Sequence, residues 1–403
     1  MGAKKLSLGI LFGSRSTEHE VSIVSALQLA GYVNPFKYDI TLVYISRQGA
    51  WYVGPALWKL ETYLDFDPRK SGLVQVFPDM TARSGALVCV KRGGIFAGER
   101  RQVAARLDCV IPVMHGLNGE DGSLQGMLEM MDLPYASSGV AGSAVGLDKI
   151  MMKQAFRGCG FPVLPDTAVS RREWLNDPEG LIRHIEASLP YPVFVKPANL
   201  GSSIGVSRAD DREGLRQALD LGFSLDRRCL VEQGLDEPQE VNCAVLGYDG
   251  DITPSVVEMP VRQGDLLDFK TKYLSAAQGG GMASLSRIIP APISPEETAR
   301  VQQLSCDIFW ALDCKGVVRV DFMIDRASRD IFVTEINTIP GSLAFYLWEK
   351  TGEGLRYRHL IDRLVQYALW AWQDKDRNIT GYESEIIAGA ITTRLSGAKG
   401  TKA

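Results

Sequence analysis

Two short runs place carboxylates, an amide and a guanidinium at strand spacing. They are Gly-Val-Val-Arg-Val-Asp-Phe-Met-Ile-Asp (316–325) and Ile-Phe-Val-Thr-Glu-Ile-Asn-Thr-Ile-Pro-Gly (331–341). Each alternates apolar with polar residues, and Asp325–Asp330 between them reads as a turn. Strand side chains alternate faces, so Arg319 and Asp321 share one face, as do Glu335 and Asn337. If Asp321 stands opposite Glu335, Arg319 falls opposite Asn337 and a loop of residues 326–330 closes the hairpin. Directly opposed Cβ atoms lie roughly 4.5–5.5 Å apart, where two carboxylates repel each other. That pairing calls for a cation between them. Asp321, Glu335 and Asn337 offer hard oxygen donors of the kind magnesium accepts while keeping waters or phosphate oxygens in its other positions. The alternative is a solvated polar face with modest repulsion.

Other residues carry weaker signals singly. Lys196-Pro-Ala-Asn-Leu-Gly-Ser-Ser-Ile-Gly205 follows an apolar strand and sets Ser202 and Ser203 between two glycines. Glycines let backbone N–H groups approach an anion, and a strand-end lysine can reach phosphate oxygens. The run lacks the Gly-Lys-Ser/Thr ending of the usual phosphate loop, and an ordinary Gly-Ser turn is the alternative. Lys149 lies on an expected helix, where a lone lysine is usually solvated. Glu232, at a strand end, could meet a purine edge, with Glu240 accepting from a ribose. Lys272 and Tyr273 precede a Gly-rich run (279–281) suited to a mobile lid. Glu18 and His19 sit in the first strand–helix turn, aimed at the same sheet edge as His115 and Glu120. His115 standing alone reads equally well as a satisfied structural histidine.

The elements that must position these groups follow from the pattern. Strand 6–12, a Gly/Ser turn at 13–18 and a helix over 20–31 are followed by strand 108–115, the turn 116–122 and a helix over 124–131. Strand, Gly-rich turn and helix in succession indicate an open α/β sheet whose ligands sit beyond the strand C-termini. Residues 52–105 are less regular and read as an elaboration of that unit. Helices over 139–158, 171–189 and 211–221 then surround strand 192–196, and a strand-rich block with a helix near 355–372 closes the chain. A length of 403 residues suits two or three domains. A net charge of −4 gives no broad attraction to nucleic acid or anionic membranes. The seven cysteines show no Cys-x-x-Cys spacing and read as thiols in a reducing compartment. The N-terminal run lacks a small-residue cleavage site and reads as a first strand, not a signal peptide. No stretch approaches the ~20 apolar residues that span a bilayer. A cytoplasmic protein is expected.

Together the pieces resemble one family, the D-alanine–D-alanine ligases of the ATP-grasp superfamily. The resemblance rests on Leu-Phe-Gly-Ser-Arg-Ser-Thr-Glu-His-Glu-Val-Ser (11–22), His-Gly-Leu-Asn-Gly-Glu-Asp-Gly (115–122), Gly-Leu-Asp-Lys (146–149) and Val-Lys-Pro-Ala-Asn-Leu-Gly-Ser-Ser-Ile-Gly (195–205). Lys-Tyr-Leu-Ser (272–275), Arg-Val-Asp-Phe (319–322) and Glu-Ile-Asn-Thr-Ile-Pro-Gly (335–341) follow in the family's order. It implies an α/β fold, α+β in the ATP-binding part, with three domains. These would be an N-terminal open-sheet substrate domain (1–138), then central (139–230) and C-terminal (231–375) domains clasping ATP, with a partly disordered extension (376–403).

The resemblance also implies an activity: joining two D-alanines with ATP through an acylphosphate, for the peptidoglycan precursor. Asp321, Glu335 and Asn337 would hold magnesium, with manganese able to replace it. Lys149 and Lys196 would meet the ATP phosphates beside Ser203, and Glu232 and Glu240 the adenine and ribose. Glu18, supported by His115 and Glu120, would anchor the first substrate's ammonium. Ser202 and Tyr273 would join Glu18 in closing the lid, and Lys272 would steady the transferring phosphate. Arg319 and the Gly341 N–H would form the oxyanion hole. Relatives are commonly dimers, so a homodimer is expected, with small amino acids as its partners and neither nucleic acid nor membrane.

One departure concerns the second substrate. Many members carry small hydroxyl residues after Asn-Thr-x-Pro-Gly; here the run is Ser342-Leu-Ala-Phe-Tyr-Leu-Trp348. Ser342 stays a candidate contact, and the acceptor could be D-alanine, D-serine or another small amino acid. Tyr273 argues against the D-lactate-using relatives. A nucleotide-binding regulatory protein that lost catalysis would be expected to lack a metal carboxylate or a phosphate lysine, and none is missing. A carboxylase-like ATP-grasp enzyme would need a bicarbonate site, for which no feature is found.

Overall fold

The computed structural model describes residues 4–92, 98–261 and 287–379. Lys272, Tyr273, the Gly-rich run at 279–281 and most of the extension, from residue 380 on, lie outside the described residues.

The strand Leu6–Gly13 buries Leu8, Ile10, Leu11 and Phe12, and a run buried on both faces is the mark of a central parallel strand. It pairs in parallel with Tyr38–Ile45 on one side and Cys109–Val113 on the other. Its C-terminal end leads through Ser14–Glu18 into the helix His19–Tyr32. The stretch that looked irregular contains Trp51–Val53, Val74–Pro78, Ala86–Arg92 and Glu99–Arg106, which continue the sheet antiparallel to give seven strands. Glu99–Arg106 is exposed along almost all its length, so it carries no apolar alternation. Its charges suit an edge strand.

A second sheet has the order Ser207–Ala209, Val193–Pro197, Arg228–Gln233, Asp166–Ser170, antiparallel throughout. The strand Arg228–Gln233 spans positions 230/231 without interruption. Helices Pro178–Ser188 and Arg212–Leu225 each begin at an aspartate that caps a backbone N–H, Asp177 to Gly180 and Asp211 to Gly214.

The third sheet has the order Asp251–Pro254, Gln239–Tyr248, Gly316–Ile324, Ile331–Asn337. Helix Pro295–Ala311 lies against it and opens with a reciprocal capping box between Ser294 and Glu297. The helix Tyr357–Lys375 packs Leu360, Ile361 and Leu364 into one core with Leu8 and Ile10 of the first sheet and Val317 of the third. The first sheet and the helix Tyr357–Lys375 therefore share a core. That fixes the edge carrying Glu18 against the sheet carrying Asp321.

The hairpin has the expected register. Asp321 faces Glu335, and Arg319 faces Asn337. Beyond Asp321 the register slips, Phe322 pairing with Val333, so Thr334 is an extra, bulged residue. Ile324 then pairs with Ile331, so the loop is residues 325–330, the turn read from the sequence and one residue more than the 326–330 of an unbulged register. Thr334 Oγ1 donates to the Asp321 carbonyl across the bulge (2.8 Å).

Candidate active site

The opposed carboxylates do meet a positive charge, and it comes from the chain itself. Arg319 reaches two residues along its own strand and donates from Nε and Nη2 to both Asp321 oxygens at 2.7 Å. Burial opposes the guanidinium charge, yet Asp321 holds Arg319 well above the ordinary arginine value. Asn337 Nδ2 donates to Asp321 Oδ2 (3.2 Å), and Lys149 Nζ lies 3.9 Å from Glu335 Oε2. The pair therefore does not by itself require a metal. What suits a hard cation is the donor chemistry: two carboxylates and an amide converge on one face, and the Glu335 side chain is 40% exposed.

That face is wider than sequence reasoning found. Asp321 also stands opposite Asn242, and Asn242 opposite Glu258, so Glu335, Asp321, Asn242 and Glu258 form one polar row across neighbouring strands. Glu240 lies two residues from Asn242 on the same face. The available signal was the polar pair Glu240 and Asn242 at period two, just before the apolar run 243–247 of the same strand.

Glu18 is buried at the N-terminus of helix His19–Tyr32, and its side chain does not cap that helix. Its carboxylate instead sits between two glycines. A Cβ on Gly116 would come within 2.7 Å of Glu18 Oε2, and one on Gly201 within 2.6 Å. Gly116 has φ +70°, so glycine is required there both for conformation and for close approach. Ser202 donates to Glu18 Oε1, joining the loop of the second sheet to the edge of the first. Ser202 and Ser203 both adopt left-handed φ, at +51° and +58°. Their loop is a sharply turned cradle.

His115 and Glu120 are buried beside Glu18. His115 Nδ1 meets the Ile339 carbonyl (3.0 Å), and its Nε2 has no hydrogen-bond partner among the described residues. Glu120 accepts from Gly116 N–H (2.9 Å) and Ile339 N–H (2.8 Å), tying the turn to the segment that leads to Gly341. His19, by contrast, turns away to Ser14 O (2.6 Å) and Tyr44 Oη (3.0 Å), a structural role.

Burial, then the nearby Glu18 charge, pushes Glu120 up from 4.5 to about 8. A folded state that keeps a proton the unfolded state releases gains stability that is complete below pH 4.5 and lost as pH rises through about 8. Glu120→Gln is expected to lower the melting temperature at every pH, because one N–H loses its acceptor. It should also flatten the fall in melting temperature between about pH 5 and about pH 8, where the folded protein holds the proton and the unfolded chain does not. Thermal melts of both proteins across that range check this, and parallel curves would contradict it.

The lysines converge with a partner not expected. Lys149 Nζ donates to the Leu200 carbonyl (2.7 Å) and is largely buried, not solvated. Glu232 is 1% exposed, and its carboxylate is shared between Lys196 and Lys153, the latter 2.6 Å away. Burial alone would raise Glu232, but the two ammonium groups overcome it and hold it down to about 2. Its carboxylate is thus paired with two lysines. Lys153 escaped the motif reading, although it follows Lys149 by four residues and so lies on the same helix face.

Comparison with known proteins matches this chain to two family models, "D-ala D-ala ligase N-terminus" over residues 7–138 and "D-ala D-ala ligase C-terminus" over residues 155–366. The D-alanine–D-alanine ligase of Acetivibrio thermocellus is 35% identical over 382 residues, covering 93% of this chain and 98% of the relative. The chain belongs to the D-alanine–D-alanine ligase family. Among solved structures, the D-alanine-D-alanine ligase of Coxiella burnetii superposes with TM-score 0.74 at 27% identity, covering 97% of this chain and 100% of that one. The VanG D-Ala:D-Ser ligase of Enterococcus faecalis gives TM-score 0.73 at 28% identity, covering 91% and 100%.

Within this family member, the departing run has an unusual backbone. Gly341 opens a short turn, and Ser342, Leu343 and Ala344 follow with φ of +49°, +56° and +50°, all buried. Left-handed conformation in consecutive non-glycine residues costs roughly 1–2 kcal/mol each, and packing must hold it. The Ser342 hydroxyl donates to Gln28 Oε1 (2.7 Å) on the first helix, so it is turned toward the first domain. Tyr346 donates to Glu258 Oε1 (2.8 Å), and the Arg287 guanidinium stacks 3.9 Å above the Tyr346 ring. Arg287 Nη1 also lies 3.1 Å from Glu258 Oε2. None of these contacts was legible from spacing, because Glu258, Arg287 and Tyr346 are far apart in the chain.

Proposed function

We propose that this chain joins two D-alanines into D-alanyl-D-alanine at the expense of ATP, for peptidoglycan precursor synthesis. The observation that supports it most is the meeting of three segments distant in sequence: Glu18 against Ser202 and Gly201, with Ile339 tied to Glu120. A first amino acid anchored at Glu18 would lie beside both the phosphate loop and the hairpin. The carboxylate of the first D-alanine attacks the γ-phosphorus of ATP, and ADP leaves. The amine of the second D-alanine then attacks the resulting acylphosphate, loses a proton and expels phosphate. Phosphorylation is needed because a carboxylate has no adequate leaving group of its own.

In this reading Glu18 binds the first ammonium, with Glu120 and His115 fixing the turn around it. Lys149 and Lys196 meet the phosphates beside Ser203, and Glu240 faces the ribose. Ser202 and Tyr273 close over the site, and Lys272 steadies the transferring group. Arg319 and the Gly341 N–H receive the charge of the tetrahedral oxygen. Asp321, Glu335 and Asn337 would hold magnesium, or manganese in its place. When bound, that ion neutralises phosphate charge and orients the transferring group.

Among the described residues no helix is long and apolar enough to cross a membrane. The reading places the enzyme in the cytoplasm as a homodimer, without nucleic-acid or membrane partners.

The test is phosphate release with D-alanine alone, and with D-alanine plus D-serine or D-lactate. D-Alanine alone should support turnover, and D-lactate should add nothing. No turnover with D-alanine alone would overturn the reading. A D-serine acceptor is the second reading, favoured by one feature: the Ser342 hydroxyl is given to Gln28, which leaves the acceptor side to Tyr346, Arg287 and Glu258.

A further inference from the structure

Lys153 is a buried cation that the proposed chemistry does not use. Its side chain is 1% exposed, as deeply buried as that of Glu232. Its Nζ lies 2.6 Å from Glu232 Oε1 and donates to the Val333 carbonyl at 3.0 Å. Three elements meet at that one nitrogen. They are the helix Lys149–Gly158, the strand Arg228–Gln233 and the strand Ile331–Asn337 that carries Glu335. Val333 borders the bulged Thr334, so Lys153 also fixes the point where the hairpin register changes.

Glu232 has two ammonium partners, and they differ in freedom. Lys196 is 14% exposed and stands at the strand end that opens into the Ser202 loop, whereas Lys153 is enclosed. If Lys196 were the sole partner, its departure to a phosphate would leave a buried carboxylate without a counter-charge, which is strongly unfavourable. With Lys153 in place it would not.

We infer that Lys153 is a positioning residue for the nucleotide: it stays on Glu232 as a fixed counter-ion and so lets Lys196 turn from Glu232 to the phosphates of ATP. The inference rests on the ATP-dependent reading of this site. It gives Glu232 a different part from a purine contact, that of the anionic seat from which Lys196 is released.

The test compares wild type, Lys153→Met and Lys153→Arg by steady-state phosphate release and by calorimetric binding of ADP with magnesium. Lys153→Met should raise the KM for ATP and the Kd for ADP at least roughly tenfold, with the KM for D-alanine changed less than about twofold. Lys153→Arg, which keeps the charge, should recover most of the nucleotide affinity. If Lys153→Met does not fold, Lys153→Gln replaces it, because glutamine keeps a donor for Val333 and loses only the charge. Unchanged ADP affinity in the charge-free variant overturns the inference. So does a parallel rise in both KM values that arginine does not rescue, which is the mark of a purely structural lysine. ADP binding needs no amino acid, so this result stands apart from failure of wild type to turn over D-alanine.

Discussion

Glu335→Gln is expected to lower magnesium-dependent turnover by roughly 10²–10³-fold, the loss typical of removing one electrostatic contact to a developing charge. The same change should move thermal stability little. Glu335 is 40% exposed, and its contact with Lys149 is long, at 3.9 Å. Partly exposed pairs of that kind contribute about 0–1 kcal/mol. Directly opposed carboxylates repel, so neutralising one removes an unfavourable term while glutamine keeps the shape and one oxygen. Activity measured over a magnesium titration should show a higher requirement as well as a lower plateau, with melting temperatures close to wild type. Equal losses in turnover and stability would return Glu335 to a structural role.

Period-two alternation is enough to place Asp321 against Glu335 and Arg319 against Asn337, because both strands have one buried face and a one-residue slip would expose it. The bulge at Thr334 shifts the phase of that alternation, so Val333 and Ile336, three residues apart, are both buried, and a strict period-two reading passes over it. Nor can it say which cation meets Asp321, since Arg319 faces Asn337 in register while its side chain bends along its own strand. Lys149 and Lys196 are legible through their motifs, yet Lys153 and Glu258 are not. Burial of a charge depends on partners brought in by tertiary packing, here Glu232 for one and Arg287 with Tyr346 for the other. The strand Glu99–Arg106 escapes for the opposite reason. It is held by backbone pairing at an exposed edge, where nothing in the side chains must alternate.

Arg319→Met should be the most damaging single change, lowering turnover by about 10³-fold or more and also destabilising the fold. Two roles fall on one guanidinium. It is the proposed donor to the tetrahedral oxygen, and it is the forked partner of Asp321, both side chains being mostly buried. Removing one member of a buried pair leaves an uncompensated charge and costs about 3–5 kcal/mol. Asn337, at 3.2 Å, can offset only part of that. The milder change Arg319→Lys would keep the charge but not the planar fork, so turnover should still fall roughly 10²-fold with a smaller loss of stability. The decisive comparison is Arg319→Met combined with Asp321→Asn. Removing both charges should restore much of the melting temperature, since the penalty lies in the unmatched carboxylate. Turnover should stay at or below the Arg319→Met level, because the oxyanion donor does not return and the Asp321 metal carboxylate is now lost as well. Recovery of activity together with stability would mean that Arg319 serves only to neutralise Asp321, and the oxyanion role would be lost to another group.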